Sequence, residues 1–176
     1  KAKYLVEKEL CNVFVVCFLH SYANPAHEKK TKKLLKKLYP EIPISISSEV
    51  LPRKREYKRL VVTGFDGYVK PIVTNYLFNL QESLSKDGAT CPFHVMQSNG
   101  GVSGINNVCK KPVGTALSGL AAGVIGAANV GLNAGHPDCI SLDMGGTSTD
   151  VALIKDGKAI ITNDGGFEDY PLNIPM

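Results

Sequence analysis

The stretch Cys139-Ile-Ser-Leu-Asp-Met-Gly-Gly-Thr-Ser-Thr-Asp-Val-Ala-Leu-Ile154 consists of two apolar segments separated by a polar, glycine-containing turn. Cys139–Leu142 and Val151–Ile154 have the apolar and β-branched residues typical of strands. Between them, Asp143–Asp150 contains two adjacent glycines, which permit positive φ and let the backbone close on a bulky ligand. The stretch therefore predicts a strand–turn–strand unit with a ligand-binding turn.

The turn has the donors and acceptors that a phosphate–magnesium site requires. Its candidate residues are Asp143, Gly145, Gly146, Thr147, Ser148, Thr149 and Asp150. Successive N–H groups in such a turn form a concave anion site, and the hydroxyls add donors. The two carboxylates provide oxygen ligands for Mg²⁺ that bridges phosphates, so we predict them as catalytic and metal-binding. The alternative is a hairpin whose glycines only satisfy turn geometry.

The remaining sequence alternates between strand and helix patterns. The predicted elements are a strand at Val13–Leu19 covered on both faces, a helix at Ala26–Tyr39, an extended segment at Ile42–Ile46, a charged connection at Glu49–Lys58, a helix at Tyr68–Leu84, a strand at Phe93–Gln97, a helix at Thr115–Gly131 and a return strand at Ala159–Thr162. This order predicts an α/β fold. The antiparallel strands at the end make the predicted sheet mixed.

Composition and charge exclude several classes of function. The chain has 176 residues, 44% of them apolar and 20% charged, which is typical of a soluble globular protein. Much of the net charge of +4 comes from Lys29–Lys37, which has the pattern of a solvated helix face, so no nucleic-acid partner is predicted. The longest apolar run, Val13–Leu19, is too short to span a bilayer, and no secretory signal is visible.

The cysteines and the two ends of the sequence suggest a cytoplasmic protein of which this is a part. The five cysteines are odd in number and form no Cys-x-x-Cys pair, which favours reduced thiols in the cytoplasm and argues against zinc. Lys1 and Met176 both lie in stretches without the texture of a natural domain boundary. We therefore expect a segment of a longer protein.

Six segments resemble the hydantoinase A/5-oxoprolinase family within the actin, sugar kinase and Hsp70 ATPase superfamily. In chain order they are FLHSYANPAHE (18–28), SSEVLPRKREYKR (47–59), YVKPIV (68–73), MQSNGG (96–101), SGLAAGVIGA (118–127) and LDMGGTSTDVALI (142–154). The resemblance implies a ribonuclease H-like (actin-like ATPase) mixed sheet. Residues 1–112 would then be the end of a first lobe, and residues 113–176 the connecting helix and the start of a second.

The same resemblance implies a function and its cofactors. It implies ATP- and Mg²⁺-dependent opening of a cyclic amide, such as a hydantoin or 5-oxoproline, through a phosphorylated amide. A hydantoinase B-type partner subunit or domain is also implied. The near alternative is a subunit of an ATP-dependent ketone carboxylase. A non-catalytic nucleotide-binding module is a second alternative, because a fold alone does not determine function.

Polar residues beyond strand ends are further candidates for substrate contact. His20 and His27 follow the first apolar strand, where ligands bind in open α/β sheets. The other candidates are Gln97, Ser98, Asn99, Gly100 and Ser118. The competing interpretations are structural: Ser21 and Asn24 cap the following helix, the glycine turn only reverses the chain, and Ser118 allows close helix packing.

Overall fold

The computed structural model describes residues 1–162 and the short strands Gly166–Phe167 and Tyr170–Pro171. Its helices and strands form two compact α/β units. Within the described residues, the first unit contains Lys1–Thr90, Cys109–Val113 and the two short strands, and the second contains Cys91–Val108 and residues 114–162. The mixed α/β class is as predicted. The assignment of 1–112 and 113–176 to actin-like lobes stays a prediction.

The elements that the sequence patterns predicted occur in the predicted order, with additional short elements at Ser47–Val50, Val102–Gly104 and Ile105–Val108. In chain order the helices and strands are α1 (Ala2–Glu7), β1 (Phe14–Val16), α2 (Ala26–Leu38), β2 (Ile44–Ile46), α3 (Ser47–Val50), α4 (Glu56–Lys86), β3 (His94–Met96), β4 (Val102–Gly104), α5 (Ile105–Val108), α6 (Ser118–Asn133), β5 (Cys139–Met144), β6 (Thr149–Lys155), β7 (Lys158–Ala159), β8 (Gly166–Phe167) and β9 (Tyr170–Pro171). In residues 1–162, no helix combines the length and hydropathy needed to cross a membrane.

The first unit is built on the parallel pair β1–β2, which lies between helices. On one face of this pair, Phe14, Val16, Ile44 and Ile46 form a buried hydrophobic cluster. On the opposite face, α4 passes so close that a Cβ on Gly67 would lie 2.5 Å from Cγ2 of Val15, so glycine permits this contact. Helices therefore lie on both faces, but the predicted full coverage is not reached, since Val15 on the α4 face is 37% exposed, and the strand is shorter than Val13–Leu19. The predicted segment Ile42–Ile46 forms the parallel partner.

Helix α4 is much longer than the predicted helix Tyr68–Leu84. It begins at Glu56, so the predicted charged connection Glu49–Lys58 is wrong over its last three residues. The charged residues near the start of α4 suggested a solvated loop. Two of them, Arg59 and Asp66, are in fact fully buried. The helix ends as predicted before Asp87-Gly88, where Gly88 has φ +87°.

The second unit contains the hairpin β3–β4 and the antiparallel sheet β5–β6–β7. One face of this sheet packs on α6, with a buried cluster of Val124, Ala128 and Ile154. Helix α6 starts at Ser118 rather than Thr115, because Pro112–Thr115 forms a 3₁₀ turn and Leu117 has φ +60°. The predicted return strand at Ala159–Thr162 is also shorter, since β7 pairs only through Lys158 and Ala159.

A buried ion pair joins three parts of the first unit. Asp66 is fully buried, and its Oδ2 accepts hydrogen bonds from Ser45 Oγ at 2.6 Å and pairs with Lys70 Nζ at 3.0 Å. Its Oδ1 accepts from the Val113 N–H at 3.2 Å. Burial lowers the pKa of neighbouring Lys111, although the Asp66 carboxylate opposes that shift. Asp66 thus connects α4 to β2 and to Cys109–Val113.

A network around Glu28 fixes the loop after β1. Glu28 is fully buried and accepts from the N–H of Phe18 and of Ser48, each at 2.8 Å, and from Ser47 Oγ at 2.7 Å. Ser21 Oγ lies 3.0 Å from Ser47 Oγ, so Ser21 does not cap α2. The predicted cap Asn24 does not occupy the N-cap position, which is Pro25, but its Oδ1 accepts from the Ala26 N–H at 3.0 Å at the start of α2.

We expect Asp66→Ala to lower the free energy of unfolding by about 3–5 kcal/mol, because it leaves the Lys70 ammonium buried without its partner. Asp66→Ala combined with Lys70→Met should cost less than the single change. Glu82→Ala is the matched control, since Glu82 and Lys86 pair at the same spacing on the exposed part of α4. Urea unfolding measures all three, and equal effects of the two single changes would contradict the role of Asp66.

We expect Glu28 to make stability depend on acidic pH. Burial by itself raises the pKa of Glu28, but the hydrogen bonds from Ser47, Phe18 and Ser48 outweigh it, so the pKa lies below its ordinary value of 4.5. The unfolded chain therefore takes up the proton first, and the stabilisation present above 4.5 is lost as the pH falls through the lowered folded-state value.

Glu28→Gln tests this expectation. It should lower the free energy of unfolding at pH 7 by about 1.5–3 kcal/mol, because hydrogen bonds to a charged acceptor are lost. The difference from the unmodified protein should shrink as the pH is lowered below 4.5. Urea unfolding over a pH series measures it, with the exposed Glu41→Gln as control. A difference that stays constant with pH would show that the carboxylate charge is not involved.

Candidate functional site

The predicted turn is an antiparallel hairpin between β5 and β6. Asp143 pairs with Asp150, and Met144 pairs with Thr149. The Gly145 N–H donates to the Ser148 carbonyl at 2.9 Å. That amide is therefore committed to the turn itself, which corrects the expectation that it faces a phosphate. The rest of the turn is exposed to solvent.

The hairpin register brings the two carboxylates together. Residues directly opposite each other in an antiparallel pair project from the same face of the sheet. Asp143 and Asp150 therefore share the face that packs on α6, together with Ser141. Two like charges directly opposite each other are destabilising, unless a cation lies between them.

A small cavity lies beside these carboxylates. Its volume is about 260 Å³, and its lining comprises Leu120, Gly123, Val124, Ala127, Ser141, Leu142, Asp143 and Asp150. A Cβ on Gly123 would lie 3.9 Å from Asp143 Oδ2, so α6 passes close to the acidic pair. Within residues 1–162, no group of three or more His, Cys, Asp or Glu side chains could hold a metal ion. A cation here would need further oxygens from phosphate or water.

The hydroxyl residues of the turn do not all face this cavity. Thr149 pairs with Met144, one position along from the acidic pair, and side chains alternate between sheet faces. Thr149 therefore projects from the face opposite the carboxylates. Gly146, Thr147 and Ser148 lie in the exposed turn, between the two faces. Their role in phosphate binding stays a prediction.

The predicted glycine turn lies against a second cavity. Gly100 has φ +78°, and its N–H donates to the Gln97 carbonyl at 3.0 Å. Ser98, Asn99 and Gly100 line a cavity of about 410 Å³ formed with α6, β6, β7 and the residues after β7. Ser118 begins α6 beside this cavity, next to the lining residue Leu117. Three of the predicted substrate residues therefore share one concave surface.

Gln97 does not line this cavity. A Cβ on Gly114 would lie 2.8 Å from Gln97 Oε1, so the side chain packs on the chain before α6. Its Nε2 is buried without a hydrogen-bond partner in the described residues. Its contact with substrate stays a prediction.

The two histidines lie in the first unit, whereas both cavities belong to the second. His20 is exposed and has φ +56°, and its N–H donates to Glu56 Oε1 at 3.4 Å. Arg59 Nη2 donates to the Phe18 carbonyl at 2.5 Å, which holds the same loop. His27 is exposed in the first turn of α2. Neither histidine lines one of the two cavities, and their contact with substrate stays a prediction.

Sequence reasoning missed the contribution of α6 to both cavities. Leu120 and Val124 line the acidic cavity and the larger one, so the helix lies between them. The small residues of α6 suggested mainly tight packing, with Ser118 as the one substrate candidate in this helix. Gly123 in fact lies beside Asp143, a neighbour twenty positions away that no local sequence pattern indicates.

The chain is similar to known proteins along most of its length. Residues 59–176 match the family model described as Hydantoinase/oxoprolinase. An uncharacterized protein of Methanocaldococcus jannaschii is 37% identical over 93% of this chain and 24% of its own. The caprolactamase subunit alpha of Pseudomonas jessenii is 30% identical over 92% of this chain and 23% of its own.

A solved structure gives the same relationship. The nucleotide-free structure of acetone carboxylase, from work on ATP-dependent acetone carboxylation, matches 99% of this chain and 25% of that one, with a TM-score of 0.82 and 30% identity. The chain thus spans about a quarter of the length of these relatives. The matched family model and these similarities together show that the chain belongs to the hydantoinase/oxoprolinase family.

Proposed function

We propose that this chain is part of an ATP-dependent enzyme that opens a cyclic amide, and that its β5–β6 hairpin binds phosphate and Mg²⁺. The observation that carries this proposal is the pair Asp143 and Asp150, opposite each other and beside a cavity. Relatives named for caprolactam hydrolysis and for ATP-dependent carboxylation support ATP use within the family.

The residues of the acidic cavity fit a magnesium ion. Mg²⁺ prefers oxygen ligands and keeps several waters, so one or two carboxylates with phosphate oxygens complete its coordination. Asp143 and Asp150 would hold it, and both line the cavity beside α6. When bound, the ion neutralises charge on the phosphates. Thr147 and Ser148 would donate their hydroxyl protons to phosphate oxygens.

The proposed reaction uses ATP to activate a poor electrophile. Transfer of the terminal phosphoryl group to the amide oxygen breaks its bond to ADP and makes the ring carbon easier for water to attack. The hairpin residues would orient the phosphates, and this positioning is the main contribution of proteins to phosphoryl transfer. In the proposed actin-like arrangement, the hairpin is the second phosphate motif and α6 connects the lobes.

A ketone carboxylase subunit is the second candidate function. The 30% identity to the acetone carboxylase structure over 99% of this chain supports it as an alternative. In either case we propose a partner subunit, because the similar caprolactamase chain is itself named a subunit. ATP turnover by the full-length protein with hydantoin, 5-oxoproline and acetone in parallel distinguishes the candidates. ATP binding without turnover on any substrate would support a nucleotide-binding module.

We expect Asp143→Asn in the full-length protein to lower ATP turnover by about a hundredfold or more, because an electrostatic contact to the transferring group is lost. Without magnesium and ATP the variant should melt no lower than the unmodified protein, since the change relieves repulsion with Asp150. Magnesium with ATP should raise the melting temperature of the unmodified protein but not that of the Asp143 variant.

Asp156→Asn is the matched control for this change. Asp156 lies at the other end of β6, in the turn to β7, and does not line either cavity. It should keep both ATP turnover and the stabilisation by magnesium with ATP. Equal turnover of the Asp143 variant and this control would refute the role of the hairpin.

A further inference from the structure

The loop that follows β1 lies at the edge of the first unit where ligands bind in α/β folds. Strands β1 and β2 are parallel, so their carboxyl ends meet at the same edge of the pair. Residues 17–24 leave β1 at that edge, and His20 is exposed among them. In open α/β sheets, ligands bind in the crevice outside the carboxyl ends of the strands. The position of this loop therefore favours contact with a ligand.

Both main-chain polar groups of His20 are hydrogen-bonded. Its N–H donates to Glu56 Oε1 at 3.4 Å, and its carbonyl accepts from the N–H of Ala23 at 3.0 Å and of Asn24 at 3.2 Å. Its φ of +56° lies in the left-handed region, which is uncommon for residues other than glycine. Such a conformation persists only where the surrounding structure determines it, and it is concentrated at functional sites. The backbone of His20 is therefore held in place at a conformational cost.

Two fully buried charged side chains hold Phe18, two residues before His20. Arg59 Nη2 donates to the Phe18 carbonyl at 2.5 Å, and Glu28 Oε1 accepts from the Phe18 N–H at 2.8 Å. Arg59 Nη2 also lies 3.8 Å from Oε1 of Glu56. Removing charged groups from water is costly, and well-packed apolar residues often stabilise a fold as well or better. The arrangement is thus explained by a need to fix this loop rather than by a need for stability.

The imidazole of His20 is presented to solvent from this fixed backbone. His20 is exposed, and the centroid of its ring lies 6.2 Å from that of the Tyr22 ring. A neutral imidazole can donate one hydrogen bond and accept another. A binding group that its neighbours already hold in place loses little conformational freedom when a ligand arrives. His20 is therefore organised for contact with a polar group of a ligand.

We propose that His20 forms a hydrogen bond to the substrate through its imidazole, and that Glu56 and Arg59 are positioning residues for it. This inference rests on the proposed function, because the substrate is that of the proposed enzyme. Glu56 holds the His20 N–H directly, whereas Arg59 holds the Phe18 carbonyl and lies beside Glu56. Hydrogen bonds from its own N–H and from the His20 N–H lower the pKa of Glu56 below its ordinary value of 4.5. Its carboxylate is therefore charged at neutral pH.

His20→Asn in the full-length protein separates the imidazole from the fold. Asparagine tolerates the left-handed region, so the variant should melt no lower than the unmodified protein. We expect kcat/KM for substrate-dependent ATP turnover to fall about a hundredfold, because a hydrogen bond made in the transition state is lost. Leu10→Asn is the matched control, since Leu10 is exposed in the same unit and has φ +52°, and it should keep turnover. Equal turnover of the two variants would overturn the proposal.

A double-mutant cycle tests the positioning role of Glu56. Glu56→Ala should lower kcat/KM about tenfold, because the His20 N–H loses its acceptor and the imidazole is misplaced. Glu56→Gln should restore most of this loss, since the glutamine carbonyl still accepts from the same N–H. In the His20→Asn background, Glu56→Ala should have no further effect. Additive effects of the two changes would show that Glu56 does not act through His20.

Chemical modification provides a measurement that requires no turnover. Peptide mass spectrometry follows the reaction of His20 with diethyl pyrocarbonate in the full-length protein, with the exposed His94 as reference. Hydantoin, 5-oxoproline and acetone are added separately, each with magnesium and a non-hydrolysable ATP analogue. At a concentration about ten times its Kd, the substrate should slow the modification of His20 about tenfold relative to that of His94.

The outcomes separate this proposal from the proposed function. Protection of His20 without ATP turnover would support the substrate contact and refute the enzyme. Turnover that survives His20→Asn, without protection of His20, would support the enzyme and refute the contact. Absence of both turnover and protection would refute both.

Discussion

The pairing of Asp143 with Asp150 across the hairpin is the constraint on which the candidate site depends. Because side chains alternate along a strand, a slip of one residue would move either carboxylate to the opposite face. That face carries exposed apolar side chains, including Leu142 and Val151. The register is held by burial of Ile154 against α6, so packing far along the strand determines where the acidic pair points.

Buried charges have a comparable role in the first unit. Asp66 and Glu28 are both fully buried, and both are surrounded by hydrogen-bond donors from distant parts of the chain. Such groups stabilise one arrangement strongly, because any other arrangement leaves a charge without partners. Arg59 is the contrasting case, since its Nε and Nη1 have no hydrogen-bond partner in the described residues while its guanidinium lies 5.5 Å from the Tyr22 ring centroid.

The accuracy of the sequence predictions depended on how local each feature is. The hairpin was predicted correctly, because its strands and glycines lie within sixteen consecutive residues. The first turns of α4 were missed, because Arg59 and Asp66 are acceptable inside a packed helix only through partners distant in sequence. The hydrogen bond from the Gly145 N–H to the Ser148 carbonyl depends on how the strands pair. The position of Thr149 on the sheet face opposite the carboxylates also depends on this register, which residue types alone do not specify.

The sequence by itself identified the family and the polar residues that its motifs contain, since both reside in short ordered segments such as 96–101 and 142–154. Only the tertiary structure decided which motifs share a cavity. Ser98 and Asn99 meet β6 across about fifty residues, and Asp143 meets Gly123 across a helix and a turn. A cavity is bounded by surfaces that fold together from separate segments, so its volume and lining arise from packing rather than from any local pattern.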